Sequence, residues 1–231
     1  LIIFAGIVAE LPRALASTFE LGRTGALSTV VILGIVVLAV ALIAFIVFME
    51  RAQRRILVQY PKRQVGRKMY GGENSHLPLK LNSAGVIPPI FASSLLLFPA
   101  TVSGFSAGET AGWIETLSLY LAHGQPLYIA TYVLLIVFFC FFYTKNVFNP
   151  ADTADNLKKN GGFVPGIRPG KNTANYLLYV LNRLTVLGAA YLSLVCILPE
   201  LLISQYSVPF YLGGTSLLIV VNVTMDTVAQ I

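Results

Sequence analysis

The residues best suited to binding chemistry lie in one segment, residues 50–80, which carries eight lysines or arginines and two acidic residues. Such a cluster of cations can bind a polyanion or an acidic protein surface. In a membrane protein it can instead mark the inner side, or attract anionic lipid by about 1 kcal/mol per cation. Projection beyond the ~8 Å screening length of a membrane surface would favour docking of a macromolecule. Charge alone leaves these interpretations open.

A second candidate binding site lies in the string VPGIRPGK, which presents Arg168 on a stiff turn between proline and glycine residues. The overlapping string GIRPGKN superficially resembles a phosphate-binding loop. The match fails because Pro165 stands where that loop needs glycine, and Asn172 replaces the Ser or Thr that holds magnesium. We therefore expect that this chain binds no nucleotide, and the sequence suggests no other cofactor.

The remaining reactive side chains do not form a catalytic set. His76 and His123 fall in loops that we expect on opposite sides of a membrane, and the apolar segments hold no HExxH motif and no carboxylate pair. Cys140 and Cys196 lie in apolar runs without a CxxC motif, and we interpret them as small buried hydrophobes. The sequence predicts neither an enzyme nor a metal site.

The elements that must position these residues are apolar helices. The chain is 56% hydrophobic and 11% charged, against about 25% charged for a soluble domain. Long uncharged runs are typical of membrane-spanning helices, since about 20 residues cross a ~30 Å hydrocarbon core. We predict an all-α, polytopic membrane helical bundle, with its first and last spans truncated. The predicted spans are at about 1–10, 26–48, 83–101, 126–145, 176–199 and 214–231.

The loops between these spans alternate in basic charge. Loops 49–82 and 146–175 contain eight and four Lys or Arg, loop 11–25 contains two, and loops 102–125 and 200–213 contain none. Cytoplasmic loops carry the Lys/Arg excess in helical membrane proteins. We therefore predict that loops 49–82 and 146–175 are cytoplasmic and that the other three face outward.

Both cytoplasmic loops show local structure in the sequence. The strand-like string ILVQY (56–60) and the turn-like PKRQVG after it predict a short hairpin in the first loop. In the second loop, Pro150 suits a first helical turn, with acidic residues after it and two lysines near the end. Gly161 and Gly162 then end this short helix.

Two adjacent prolines, Pro88 and Pro89, predict a kink or break in the span 83–101, because each removes a backbone donor. In hydrocarbon, the freed carbonyls must find partners in protein or in a watery cavity. The break is therefore either a simple packing kink or part of a helix that lines a pathway or forms a movable gate.

Four long strings carry a resemblance to a known family: KLNSAGVIPPIFASS, RQVGRKMYGGENSHLPLK, FNPADTADNLKKNGGFVPGIRPGK and PFYLGGTSLLIVV. They resemble the SecY family, the channel-forming subunits of the bacterial Sec protein translocase. The resemblance runs essentially end to end. It implies the second half of a ten-helix channel with inverted repeats, from the end of helix 5 to helix 10.

The resemblance also implies three sets of site residues. The pore ring, whose bulky aliphatic groups can dewet a constriction, comprises Ile3, Ile90 and Ile219. The lateral gate comprises Asn82, Pro88, Pro89, Phe91, Ser94 and Phe98. The docking residues for a ribosome or for the SecA motor ATPase are Arg54, Arg55, Lys62, Arg63, Arg67, Lys68 and Arg168.

The implied function is a protein-conducting channel in the bacterial inner membrane, which passes secretory polypeptides across and releases membrane segments sideways. The implied partners are SecE, SecG, SecA, the ribosome, the translocating polypeptide and anionic lipids. A secondary solute transporter with broken helices is the alternative, although such a carrier has no need of large basic loops. A membrane scaffold would not explain the paired prolines or the ring isoleucines.

Overall fold

A computed structural model describes residues 2–25, 28–61, 63–65, 68–70, 72, 74–105, 116, 119–121, 124–206 and 213–230. The helices are α1 (Ile2–Arg23), α2 (Thr29–Arg51), α3 (Ile87–Phe105), α4 (Pro126–Val147), α5 (Pro150–Lys159), α6 (Lys171–Tyr206) and α7 (Gly214–Gln230). The strands are β1 (Gln53–Gln59), β2 (Arg63–Val65), β3 (Lys68–Tyr70) and β4 (Asn74–Lys80).

The chain divides into two compact units. We call the first the helical unit; it contains Leu1–Met49, Gly85–Phe139 and Ala189–Ile231. We call the second the ribbon unit; it contains Glu50–Ala84 and Cys140–Gly188. Both loops that the sequence predicts to be cytoplasmic fall almost entirely in the ribbon unit.

Helix α1 is longer than the sequence indicates. The predicted span ends near residue 10, whereas α1 continues through Pro12 to Arg23. Proline costs the helix one backbone hydrogen bond, but the second half of α1 buries Ala14 and Thr18, and the Thr18 hydroxyl donates to the Ala14 carbonyl at 2.7 Å. Packing thus overrides the local effect of Pro12, and the prediction of a loop over 11–25 is wrong for most of that range.

Helix α3 begins at the paired prolines. Residues 83–86 form a turn, and the helix starts at Ile87, so that Pro88 and Pro89 occupy its first turn. There the backbone N–H groups have no intrahelical acceptor, and proline is tolerated. The predicted break is therefore present, but it lies at the start of the helix and does not divide it.

Helices α4, α6 and α7 meet in the helical unit through a partly buried polar contact and a close backbone approach. The hydroxyls of Tyr132 on α4 and Thr215 on α7 are 3.0 Å apart. Gly214, the first residue of α7, is buried, and a Cβ there would lie 2.7 Å from the Cα of Cys196 on α6 and closer still to the Val195 carbonyl oxygen. Only glycine fits this approach without a shift of the backbone.

The first basic loop forms an antiparallel ribbon, which confirms a hairpin, but its predicted turn PKRQVG is wrong in position, because strand β2 (Arg63–Val65) lies within that string. Strand β1 pairs with β4 from Gln53 opposite Lys80 to Gln59 opposite Asn74. Nearer the tip, β2 pairs with β3, with Arg63 opposite Tyr70. The basic segment is thus an ordered two-stranded element over its described residues.

The core of the ribbon unit joins the ribbon to the start of α6. Ile56 and Leu79 from the ribbon pack with Val164 and with Leu177 and Val180 of α6. Each of these side chains is less than a tenth exposed, and full burial of such a side chain contributes about 1.5–3 kcal/mol. This core fixes the ribbon to a helix that follows it by almost 100 residues.

The helical segments match a membrane protein in length and composition. Among the described residues, four stretches are long and apolar enough to cross a membrane: Ile2–Arg23, Thr29–Arg51, Pro126–Lys159 and Lys171–Gln205. A shorter apolar stretch covers Ile87–Pro99. The prediction of a polytopic helical bundle is confirmed, with the ribbon as its added β element.

Candidate functional site

The ribbon has one apolar face and one polar face, because side chains alternate along each strand. Ile56, Val58 and Leu79 are buried on the apolar face. The opposite face carries Arg55 and, on β4, His76 and Lys80, all exposed. We call this second surface the polar face of the ribbon. It presents positive charge away from the unit's core.

The two arginines at the start of β1 lie on different faces. Arg54 stands opposite Leu79 on the apolar side, while Arg55 stands opposite Pro78 on the polar side. Both side chains are exposed. The two adjacent cations therefore point in different directions.

The docking residues near the ribbon tip are described only in part. Arg63 lies in β2 and Lys68 in β3, where it pairs with Val65. Lys62 and Arg67 fall outside the described residues. Strands β2 and β3 pair with each other in a sheet separate from that of β1 and β4.

The second basic loop is fastened to the ribbon by main-chain hydrogen bonds. The Gln59 N–H donates to the Phe163 carbonyl and the Phe163 N–H donates to the Gln59 carbonyl, both at 2.9 Å. Between these segments, Gly162 is buried, and a Cβ there would lie 2.9 Å from the Tyr60 ring and 3.1 Å from the Val58 side chain. The sequence gives no sign of this pairing, since the two partners lie about 100 residues apart.

Helix α5 positions the start of that second loop. The Asn149 side chain caps its first turn by accepting from the Ala151 N–H at 3.1 Å. At its end, Gly161 has φ +74, and Gly162 donates to the Leu157 carbonyl at 2.8 Å, which together form a Schellman motif. The predicted helix start at Pro150 and the predicted stop at the glycines are both confirmed.

Arg168 lies in the turn between α5 and α6. Its side chain is exposed, and its carbonyl accepts a hydrogen bond from the buried Thr173 hydroxyl at 2.9 Å. The turn includes Gly166 and Gly170, whose positive φ values of 81 and 104 suit glycine. The backbone of the turn is thus held, and the guanidinium lies on an exposed side chain.

The lateral-gate residues of α3 fall on two faces of the helix. Phe91, Ser94 and Phe98 are exposed and follow a helical spacing. Pro88 and Pro89 are buried, as are Ala92 and Leu96 of the same helix. The Phe91 ring also stacks on Phe139 of α4 with ring centroids 5.7 Å apart. The exposed residues form what we call the open face of α3.

Asn82 does not lie on that open face. It is buried in the ribbon unit, and its side-chain amide donates to the Glu50 carboxylate at 2.7 Å. This bond joins the end of α2 to the turn before α3. A polar link of this kind at a helix end was not expected from the sequence, because Glu50 and Asn82 are separated by the whole ribbon.

The three ring isoleucines lie on three different helices of the helical unit. Ile3 on α1 is 61% exposed, and Ile90 on α3 and Ile219 on α7 are half-buried. Ile3 lines a cleft of about 270 Å³ together with Glu10 and Ser216, one turn before Ile219 on α7. No described contact joins Ile90 to this cleft.

Among the described residues, no three His, Cys, Asp or Glu side chains group as a metal site would require.

Apolar helices of spanning length, a helix that starts at paired prolines and a basic ribbon are together typical of a helical membrane protein with large basic loops. The family model for SecY matches residues 1–228, and the chain belongs to the SecY family. Relatives named protein translocase subunit SecY include one from Rickettsia conorii, 59% identical over 233 residues. Another, from Escherichia coli strain K12, is 57% identical over 232 residues.

Each of these alignments covers 100% of this chain and 53% or 52% of the relative. The chain thus spans about half the length of the curated relatives that it matches.

Two solved structures share its fold. One, a study of the plug domain of the SecY protein in the closed channel, has a TM-score of 0.67 at 17% identity and is covered over 58% of its length, with all of this chain aligned. The other, a protein-conducting channel, has a TM-score of 0.60 at 16% identity, over 93% of this chain and 52% of that one.

Proposed function

We propose that the protein containing this chain is the channel subunit of a protein translocase. It passes secretory polypeptides across the bacterial inner membrane and releases membrane segments sideways into it. The observation that carries this proposal is the 57–59% identity, over the whole chain, to proteins named as protein translocase subunits. In this proposal, residues 1–231 supply the second half of a ten-helix channel, with loops 49–82 and 146–175 in the cytoplasm.

In this proposal, Ile3, Ile90 and Ile219 supply part of an apolar ring around the pore, and the rest of the ring comes from outside this chain. Supporting the proposal, the three side chains lie on separate helices and none is fully buried. A ring of aliphatic groups can dewet a constriction and so block ions. It can also part around a peptide of any sequence, because it makes no directional bonds.

The open face of α3, with Phe91, Ser94 and Phe98, is proposed to line the lateral exit, and Pro88 and Pro89 to fix where that gate helix begins. Asn82, tied to Glu50, holds the turn that precedes the helix. Apolar exposed groups suit an exit that alternates between contact with protein and with lipid. The surface is then favourable for a membrane segment that leaves the channel.

The ribbon and the Arg168 turn are proposed as docking sites for the SecA motor or a ribosome. Arg54, Arg55, Arg63 and Lys68, with Lys62 and Arg67, supply the first set of cations. Hydrolysis of ATP then belongs to the motor, in line with a chain that carries no phosphate-binding loop. SecE and SecG are the proposed partner subunits, and anionic lipids the proposed lipid partners.

A secondary solute transporter is the less supported function, because both relatives and both solved structures named above are described as translocase subunits or channels for proteins.

The test uses the full-length protein with its partner subunits and a secretory polypeptide arrested during export. A photo-crosslinking residue replaces Ile90, and a matched one replaces Val37, an exposed residue of α2. We expect a crosslink to the arrested polypeptide from position 90 and much less from position 37. Equal yields at both positions, or none at position 90 under conditions that arrest export, would contradict the proposed function.

A further inference from the structure

A cleft outside the proposed pore and docking residues lies between α4 and α6 in the ribbon unit. Its volume is about 370 Å³. Its lining residues come from the last turns of α4 and from the middle of the first half of α6: Phe141, Lys145, Tyr179, Asn182, Arg183 and Val186. The two cations of this cleft are absent from every set of residues considered above.

The cations of the cleft border the uncharged runs of the two helices. In α4, residues 126–144 carry no charge and Lys145 is the first charged residue. In α6, residues 184–199 carry no charge, about 24 Å at 1.5 Å per residue, and Arg183 is the last charged residue before them. Lys145 ends the predicted span 126–145 and Arg183 lies inside the predicted span 176–199, and the cleft brings the two cations together. We therefore place the boundary between hydrocarbon and headgroups at this cleft.

The cleft changes from polar to apolar in the direction of the membrane. Tyr179 and Asn182 lie with the cations on its polar side, whereas Phe141 lies one turn before Lys145 and Val186 lies three residues after Arg183, both toward the uncharged segments. The Arg183 guanidinium stands 4.8 Å from the centroid of the Tyr179 ring. This cation–π contact holds the charge at the cleft without neutralising it.

Both cations are available to an anion. The side chains of Lys145, Asn182 and Arg183 are exposed. Among the described residues, neither cation forms an ion pair with a carboxylate. Lys145, Arg183 and Asn182 together offer several N–H donors, while the cleft contributes no acidic side chain.

We propose that this cleft binds one anionic phospholipid, whose headgroup phosphate contacts Lys145 and Arg183 and whose acyl chain lies against Phe141 and Val186. Positive charge at headgroup level, directly above an apolar surface, matches the shape and charge of that molecule. The inference rests on the membrane location in the proposed function and names the site of its lipid partner. It does not depend on transport of a polypeptide.

The test measures lipid preference at the cleft in the full-length protein with its partner subunits, reconstituted in bilayers and without other tryptophans. Val186→Trp places a fluorescent reporter in the cleft, and Leu134→Trp, at an exposed position of α4 outside it, reports bulk lipid. The probes are brominated phosphatidylglycerol, which is anionic, and brominated phosphatidylcholine, which is neutral overall. Attraction of about fivefold per cation is typical near a membrane surface, so we expect phosphatidylglycerol to be preferred at least about fivefold at position 186 and far less at position 134.

The charge dependence is tested with two double variants of equal charge change. Lys145→Gln with Arg183→Gln should abolish the preference at position 186, and Lys158→Gln with Lys159→Gln, at the exposed end of α5, should leave it unchanged. Equal quenching by the two lipids with both cations present would overturn the proposal. Quenching by neither would also overturn it, because another protein segment would then cover the cleft.

Two further measurements separate this site from simpler explanations. Inorganic phosphate, added at constant ionic strength, should not relieve quenching by phosphatidylglycerol; if it does, the cleft is a free-anion site and the lipid proposal is wrong. If Val186→Trp prevents folding, native mass spectrometry of the complex without the reporter gives the same answer. Retained phosphatidylglycerol should decrease in the Lys145 and Arg183 double variant only, and equal retention in both double variants would contradict the site. A protein with both cations present that exports normally but shows no lipid preference at position 186 would refute this site alone and leave the proposed function standing.

Discussion

Residues of one type differ in role according to where the backbone places them. Arg55 shares the polar face of the ribbon with His76 and Lys80, whereas the adjacent Arg54 stands opposite the buried Leu79. Arg183, in a helix, lies against an aromatic ring. The sequence grouped the ribbon arginines by family resemblance, but the alternation of a strand decides which of them can contact one partner surface together.

At the scale of single residues, a variant of Arg168 tests the proposed docking of the SecA motor. Arg168→Glu in the full-length protein should reduce SecA-driven export at least about tenfold, because it reverses a charge on an ordered exposed turn that is proposed to contact the motor. The backbone of the turn is held by Gly166, Gly170 and the Thr173 hydroxyl, so insertion and folding should be unchanged. Export into membrane vesicles and the amount of inserted protein are the measurements.

The matched control for this variant is Lys159→Glu, which makes the same charge change at another exposed residue of the ribbon unit. It should leave export near its normal rate. Normal export by the Arg168→Glu protein would contradict the docking role of Arg168. An equal loss of export in both variants would show a general effect of charge and no specific role of Arg168.

At the scale of elements, local signals were sufficient for the ribbon and for α5. The run ILVQY predicts the first strand of a hairpin, although the turn predicted directly after it contains strand β2, and Pro150 and the glycines at 161 and 162 specify both ends of a short helix. The start of α3 was only half predicted, because Pro88 and Pro89 disrupt a helix interior but fit a first turn. The sequence alone does not say whether the paired prolines lie in a helix interior or in a first turn.

Gly214 tests the packing between α6 and α7. Gly214→Ala should lower the free energy of unfolding by about 1–3 kcal/mol, because its Cβ would overlap the Val195 carbonyl oxygen. Elsewhere in a helix the same change is stabilising by up to about 1 kcal/mol, so the sign is diagnostic. Thermal unfolding of the detergent-solubilised full-length protein measures the effect.

Gly213→Ala provides the control, since nothing lies within 4 Å of a Cβ at that position. It should change the unfolding temperature little. A Gly214→Ala protein that is as stable as the Gly213→Ala protein would show that α6 and α7 separate easily at this point.

At the scale of the whole molecule, the sequence predicted the class of fold but not which distant segments pair. Hydropathy and Lys/Arg counts place helices and loops one at a time. They carry no information on the bonds between Gln59 and Phe163, which depend on backbone positions about 100 residues apart. The error over residues 11–25 has a related cause, because the packing of Ala14 and Thr18 extends α1 past Pro12.

The proposed pore ring would be a property of the whole channel, and a variant of Ile90 tests it. Ile90→Gly in the full-length protein should open a path for ions in the resting channel, because a gap in an aliphatic ring admits water. Ile90→Leu keeps the bulk of the side chain and should remain sealed. Conductance of the reconstituted protein in a planar bilayer measures both, and an ion-tight Ile90→Gly channel would exclude Ile90 from the ring.

The pairing of Gln59 with Phe163 also constrains where insertions and deletions can occur during evolution. An inserted or deleted residue within β1 or β4 would exchange the two faces of the ribbon and move Ile56 and Leu79 out of their core. It would also shift Gln59 away from Phe163. The ribbon tip beyond Tyr60 has no such contact among its described residues. Homologous chains should therefore gain and lose residues at the tip, while the two strands at its base keep a constant length.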